Sequence, residues 1–121
     1  MQLQKIDCDF TTCKVKSAAQ IDFSREFVFL SKTDDEISLV CDSRYLPDNA
    51  IAPEAGWKAL RVSGVLDFGM IGVISKIATI LAEAKIGIFV VSTYNTDYIF
   101  VKSADLDNAA GALTRNGYIV G

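Results

Sequence analysis

The rhythm of apolar and polar positions changes several times along this chain and divides it near residue 55. Residues 2–7 alternate apolar and polar side chains as a short strand does. Residues 27–32 and 36–41 are β-rich runs separated by Thr33, Asp34 and Asp35, whose side chains suit a tight turn, so they predict a hairpin. Residues 10–22 are ambiguous: Val15, Ala18, Ala19 and Ile21 give only a weak helical face. Residues 45–56 hold both prolines, Pro47 and Pro53, and read as a linker or long turn.

Beyond it the signals sharpen. Trp57, Ala59, Arg61 and Ser63 alternate with Lys58, Leu60, Val62 and Gly64, which predicts a strand. Ile71, Ile74, Ile77/Ala78, Leu81 and Ala84 then fall on one face of a helix, with Asp67 just ahead as its expected cap. Residues 88–93 and 98–102 are β-branched and aromatic, joined by turn-forming residues 94–97, and predict a second hairpin. Asp105 is placed to cap a last helix with Leu106, Ala109/Ala110 and Leu113 on one face, stopped at Asn116-Gly117 and followed by a closing strand at 118–120. The order from Trp57 is β-α-β-β-α-β, an α+β arrangement in which two helices cover one face of an antiparallel sheet.

Composition removes several function classes. With 121 residues, half of them apolar, the chain has enough material for one domain or two very small ones. Its net charge of −3 lacks the basic excess that nucleic acid or an anionic membrane surface requires. The apolar stretches at 70–74 and 86–91 are too short to cross a bilayer, and the amino terminus lacks a signal-peptide h-region, so a cytoplasmic location is expected. Cys8, Cys13 and Cys41 lack the pairing that closes a zinc site and are expected to be reduced thiols, a Cys8–Cys13 redox pair being the alternative. Histidine is absent, which removes the commonest general base and metal ligand. No Ser or Cys context resembles a nucleophile motif, so neither an enzyme nor a cofactor or metal is expected.

Residues 64–78, then Leu81-Ala82-Glu83-Ala84 and Ile86-Gly87-Ile88, resemble an ACT domain, and the segment 92–98 narrows the likeness. That hairpin is similar to the subgroup in small tandem-ACT bacterial proteins, aspartate kinase regulatory regions and animal cytosolic arginine sensors. The resemblance implies a ferredoxin-like βαββαβ ACT fold over residues 56–121, preceded by a shorter, degenerate ACT-like half at 1–55. Two positions depart from the family pattern: Ile71 replaces a frequent Pro, and Lys85 stands where a Gly usually ends the helix. A Lys in a left-handed cap costs on the order of 1 kcal/mol, so a different helix end is expected.

The resemblance implies an amino acid or other small effector bound at an interface between two ACT modules, near the turn before the first helix. Candidate ligand-binding residues are Asp67, Phe68, Gly69, Met70, Ile71 and Gly72 in that turn, Ile88 at a strand end, and Thr93, Tyr94, Asn95, Thr96 and Asp97 in the hairpin. A helix start there suits a ligand carboxylate, and Asp67, Asp97 or the Ile88 carbonyl would accept from an α-ammonium group. Each has a plainer role: Asp67 as a cap, Asn95 and Asp97 as turn formers, Phe68, Phe89 and Phe100 as core, Gly69 and Gly72 as packing space, Trp57 as core or interface. The expected function is a regulatory sensor module acting as a homodimer on a regulated protein partner; the alternative is a ligand-free interaction scaffold with the same fold.

Overall fold

A computed structural model describes residues 1–121. The elements are β1 (Gln2–Val15), β2 (Val28–Lys32), β3 (Ile37–Asp42), β4 (Ala50–Val62), α1 (Val73–Glu83), β5 (Ile88–Ser92), β6 (Asp97–Lys102), α2 (Leu106–Arg115) and β7 (Ile119–Val120). They divide into two compact units: Met1–Asp7 with Lys58–Gly121, and Cys8–Trp57. Both β1 and β4 contribute residues to each unit.

In the C-terminal unit, β4 lies beside β6, and β6 pairs antiparallel with β5, Val90 opposite Ile99 and Ser92 opposite Asp97. Helices α1 and α2 bury Ile77, Leu81, Ala109 and Leu113 against Leu60, Val62, Ile99 and Val101 of the sheet. This is the βαββαβ arrangement expected, with one addition. Residues 2–7, expected in the N-terminal half, belong to this unit instead. Gln2 and Leu3 pair in parallel with Ile119 and Val120 of β7, and the Ser63 N–H donates to the Gln2 carbonyl at 3.0 Å. Leu3 is fully buried in the same core, and burying a leucine contributes about 2 kcal/mol. Alternation marks residues 2–7 as a strand; it does not say which strands flank it.

Helix α1 starts later than expected. Its N-cap is Gly72, in the left-handed region at φ 79°, and no side chain caps it. Asp67 therefore does not cap α1, and Ile71, expected on its buried face, is 93% exposed ahead of it. Ala84 is likewise exposed. The far end is a Schellman closure: Lys85 N–H donates to the Ala82 carbonyl and Ile86 N–H to the Leu81 carbonyl at 3.0 Å. Lys85 takes φ 61° despite its side chain, contrary to the expected different ending. Burial of Ile86 beside Leu81 offsets the strain. The same closure ends α2, where Gly117 has the positive φ. Asp105 occupies the N-cap position of α2, but its side chain makes no capping hydrogen bond.

In the N-terminal unit, β1 pairs antiparallel with β3, Thr11 opposite Cys41 and Cys13 opposite Leu39, and β3 with β2. Cys13, Val15, Leu39 and Cys41 form its core with Ile21, Val28, Leu30 and Leu46. The weak helical signal at 10–22 resolves as strand to Val15, followed by irregular turns fastened by Asp22, which accepts from Ser24 N–H. Residues 50–56, expected as linker, are extended as the first part of β4. Positive φ at Ala52 (51°) and Gly56 (84°) marks local departures from regular pleating there.

Candidate functional site

Between β4 and α1 the chain runs through residues 63–72 as an exposed loop that turn 93–96 holds in place. The Leu66 N–H donates to the Asn95 carbonyl at 2.7 Å. The Thr96 hydroxyl, buried, donates to the Val62 carbonyl at 2.7 Å. Turn 93–96 is closed by Thr93 N–H on the Thr96 carbonyl at 2.8 Å and braced by the Thr93 hydroxyl on the same oxygen at 3.0 Å. Turn 33–36 of the N-terminal unit has the same closure, Thr33 N–H on the Glu36 carbonyl at 2.9 Å.

Within the loop, Asp67 Oδ1 accepts from the Gly69 N–H at 2.8 Å and the Asp67 carbonyl from the Met70 N–H at 3.0 Å. Asp67 thus folds its own turn. Phe68 meets Tyr94 edge to face, ring centroids 5.2 Å apart. The result is an open groove of about 390 Å³ between the loop, the start of α1 and turn 93–96. The first intrahelical bond runs from Lys76 N–H to the Gly72 carbonyl, so the amides of Val73, Ile74 and Ser75 at the groove have no partner in the helix. They and the helix dipole form a partial positive charge suited to an anionic group. The same groove is also lined by two carboxylates, Asp67 and Asp97, the latter accepting from Ser92 Oγ at 2.5 Å.

Of the residues singled out from sequence, Asp67, Phe68, Met70, Gly72, Thr93, Tyr94, Asn95, Thr96 and Asp97 line this groove. Gly69 and Ile71 lie in the loop without lining it, and Ile88 packs against the helical core instead. Sequence reasoning missed Leu66, Val73, Ile74, Ser75 and Ser92. Placing the helix start at Gly72 would have found Val73, Ile74 and Ser75, because first-turn amides follow from the start. Phe89 stacks on Phe100, which is fully buried.

Cys8 and Cys13 are not placed to form a disulfide. Cys8 and Cys13 lie on the one strand β1, about 16 Å apart at 3.3 Å per residue, a separation no disulfide spans. Burial, with the Asp42 charge, pushes the Cys8 thiol up to about 12; burial pushes Cys41 to about 11 and raises Cys13. No cluster of metal-ligating side chains occurs, and no helix is long and apolar enough to cross a membrane.

A sheet covered on one side by two helices in βαββαβ order defines a small α+β protein of the ferredoxin-like type. The ACT domain family model matches residues 53–115, and the chain belongs to that family. Among solved structures it is similar to the Agobacterium tumefaciens protein Atu0741, at 29% identity and TM-score 0.87 over 99% of this chain and 91% of that one. It is also similar to VC0802 of Vibrio cholerae, described as a possible transport protein, at 22% identity and TM-score 0.73 over 92% and 85%. Its fold is also similar to that of a putative C-terminal regulatory domain of aspartate kinase from Porphyromonas gingivalis, at 18% identity and TM-score 0.55 over 93% and 92%. Comparison with curated proteins gives no match.

Proposed function

We propose that the chain is a small-molecule sensor that binds a free amino acid in the groove at the start of α1, acts in the cytoplasm without catalysis, and passes the change to a protein partner. The observation that carries this reading is that first-turn amides of α1 without a partner in the helix and two carboxylates line one groove. An α-carboxylate suits the amides, and an α-ammonium group suits Asp67 or Asp97. Phe68 and Tyr94 in the groove and Ile71 in the loop beside it, each more than three-quarters exposed, support a homodimer in which a second ACT module covers this apolar surface. The shared closure of turns 33–36 and 93–96 supports reading the unit Cys8–Trp57 as a degenerate ACT-like half.

A melting-temperature screen against the common amino acids tests it, since a ligand bound only by the folded state raises stability by mass action. One amino acid is expected to raise the melting temperature, and Ser75→Pro, which removes a first-turn amide that has no partner in the helix, to abolish the rise in a variant that still melts cooperatively. The exposed apolar surface also favours a second reading, an interaction scaffold. Indifference to every compound, with self-association that Ile71→Asp disrupts, would sink the sensor in its favour.

A further inference from the structure

A second groove, of about 300 Å³, lies on the sheet and is lined by Gln4, Arg61, Ser63, Gly64, Asn95 and Tyr98 among others. Turn 93–96 is a wall of both grooves. Their chemistry differs: the α1 groove holds Asp67 and Asp97, whereas no carboxylate lines this one and its single ionised side chain is Arg61. In a chain of net charge −3, that is an unusual local balance.

Arg61 is half-buried on β4 and is held by neutral groups. One terminal nitrogen donates to the Tyr98 hydroxyl at 3.2 Å and the other to the Gln4 side-chain carbonyl at 2.7 Å. The guanidinium carbon lies 5.7 Å from the Tyr98 ring centroid. No carboxylate pairs with it. A guanidinium has five N–H donors, so two such bonds fix its position and leave donors unused. A planar guanidinium held in place is pre-organised for two-point contact with a carboxylate or phosphate. Ser63, the Asn95 amide and the backbone at Gly64, turned by φ 85°, add polar groups that can donate at the same groove.

We propose that the Arg61 groove is an anion-binding site, separate from the α1 groove, that takes the carboxylate or phosphate group of a small metabolite on the Arg61 guanidinium. It does not depend on an amino acid binding at α1.

The test is an amide-resolved NMR titration of the full chain with inorganic phosphate, and separately with citrate, at constant ionic strength set by sodium chloride. The expected result is saturable movement of the Gly64, Val65 and Tyr98 signals at millimolar anion, weakened at least tenfold in Arg61→Gln and partly restored in Arg61→Lys. Stronger binding of phosphate points to phosphorylated metabolites, and stronger binding of citrate to carboxylates. Movement confined to Val73, Ile74 and Ser75 would put the anion at α1 and overturn the proposal, as would unsaturable drift or an undiminished response in Arg61→Gln. An inert wild-type spectrum, with a dimer that Arg61→Gln splits in sedimentation, would assign Arg61 to a contact between copies and equally overturn it. If the Gln variant does not fold, the wild-type signals decide alone.

Discussion

Two residues show how a local preference yields to its surroundings. Lys85 holds a left-handed φ of 61° because the Schellman bonds and the burial of Ile86 require a C′ residue there. The strain is about 1 kcal/mol, so Lys85→Gly is expected to raise the melting temperature by a few degrees, read by calorimetry. An unchanged or lowered value would mean that the greater freedom of glycine in the unfolded chain cancels the relief. The three thiols are a second case. Their raised pKa values leave them protonated near neutrality. A group whose folded pKa is raised above the ordinary 9.0 adds stability that is present below pH 9 and lost as pH climbs through about 11 and 12. At pH 8, iodoacetamide is expected to leave the native protein unlabelled and to label all three thiols in guanidinium; rapid native labelling would contradict their burial. Spacing in sequence gave no warning of this, since a Cys8/Cys13 interval reads as a close pair only until the segment is known to be extended.

At the scale of elements, hairpins were legible because β-branched runs and turn residues are local signals: β2–β3 and β5–β6 stand where those runs put them. Helix α1 was legible by its apolar period but not by its start. Asp67 has the chemistry of a cap, yet its carboxylate is satisfied by Gly69 within the loop, and Gly72 takes the cap position. Much of the candidate groove was legible because hairpin and loop are contiguous segments, whereas Ser75 and Ser92 reach it only through the exact end of a helix and a strand. The end of β3 offers a prediction of its own. The Arg44 guanidinium, bonded at 2.6 Å, pulls the Asp42 carboxyl down to about 2 from an ordinary 3.8. A depressed folded pKa contributes stability that is full above pH 4 and lost as pH falls through 2. Urea midpoints of the wild type and Asp42→Asn should therefore differ most at neutral pH and converge towards pH 2. Parallel curves would show that Asp42 is not coupled to folding.

For the whole molecule, the least legible feature is the assignment of Met1–Asp7 to the C-terminal unit. A cut near residue 55 follows from the prolines, and nothing in an amino-terminal strand of six or so residues says that its partners are the last strand and a strand half the chain away. The consequence is that the ACT unit includes an amino-terminal segment that the matched residues 53–115 do not cover. Leu3 is fully buried in the helical core, Gln2 and Leu3 pair with β7, and Lys5 N–H donates to the Gly121 carbonyl at 2.7 Å. Leu3→Ala leaves a cavity and is expected to cost about 3 kcal/mol. Removing residues 1–7 also strips β7 of its pairing and exposes the neighbouring edge of β4, so the loss should exceed that of the point variant and bring self-association through the unpaired strand. Circular dichroism melting with sedimentation checks both. A truncated chain that melts cooperatively at the wild-type temperature as the same species would show that residues 58–121 fold without the amino-terminal strand, and that its place in the core is incidental.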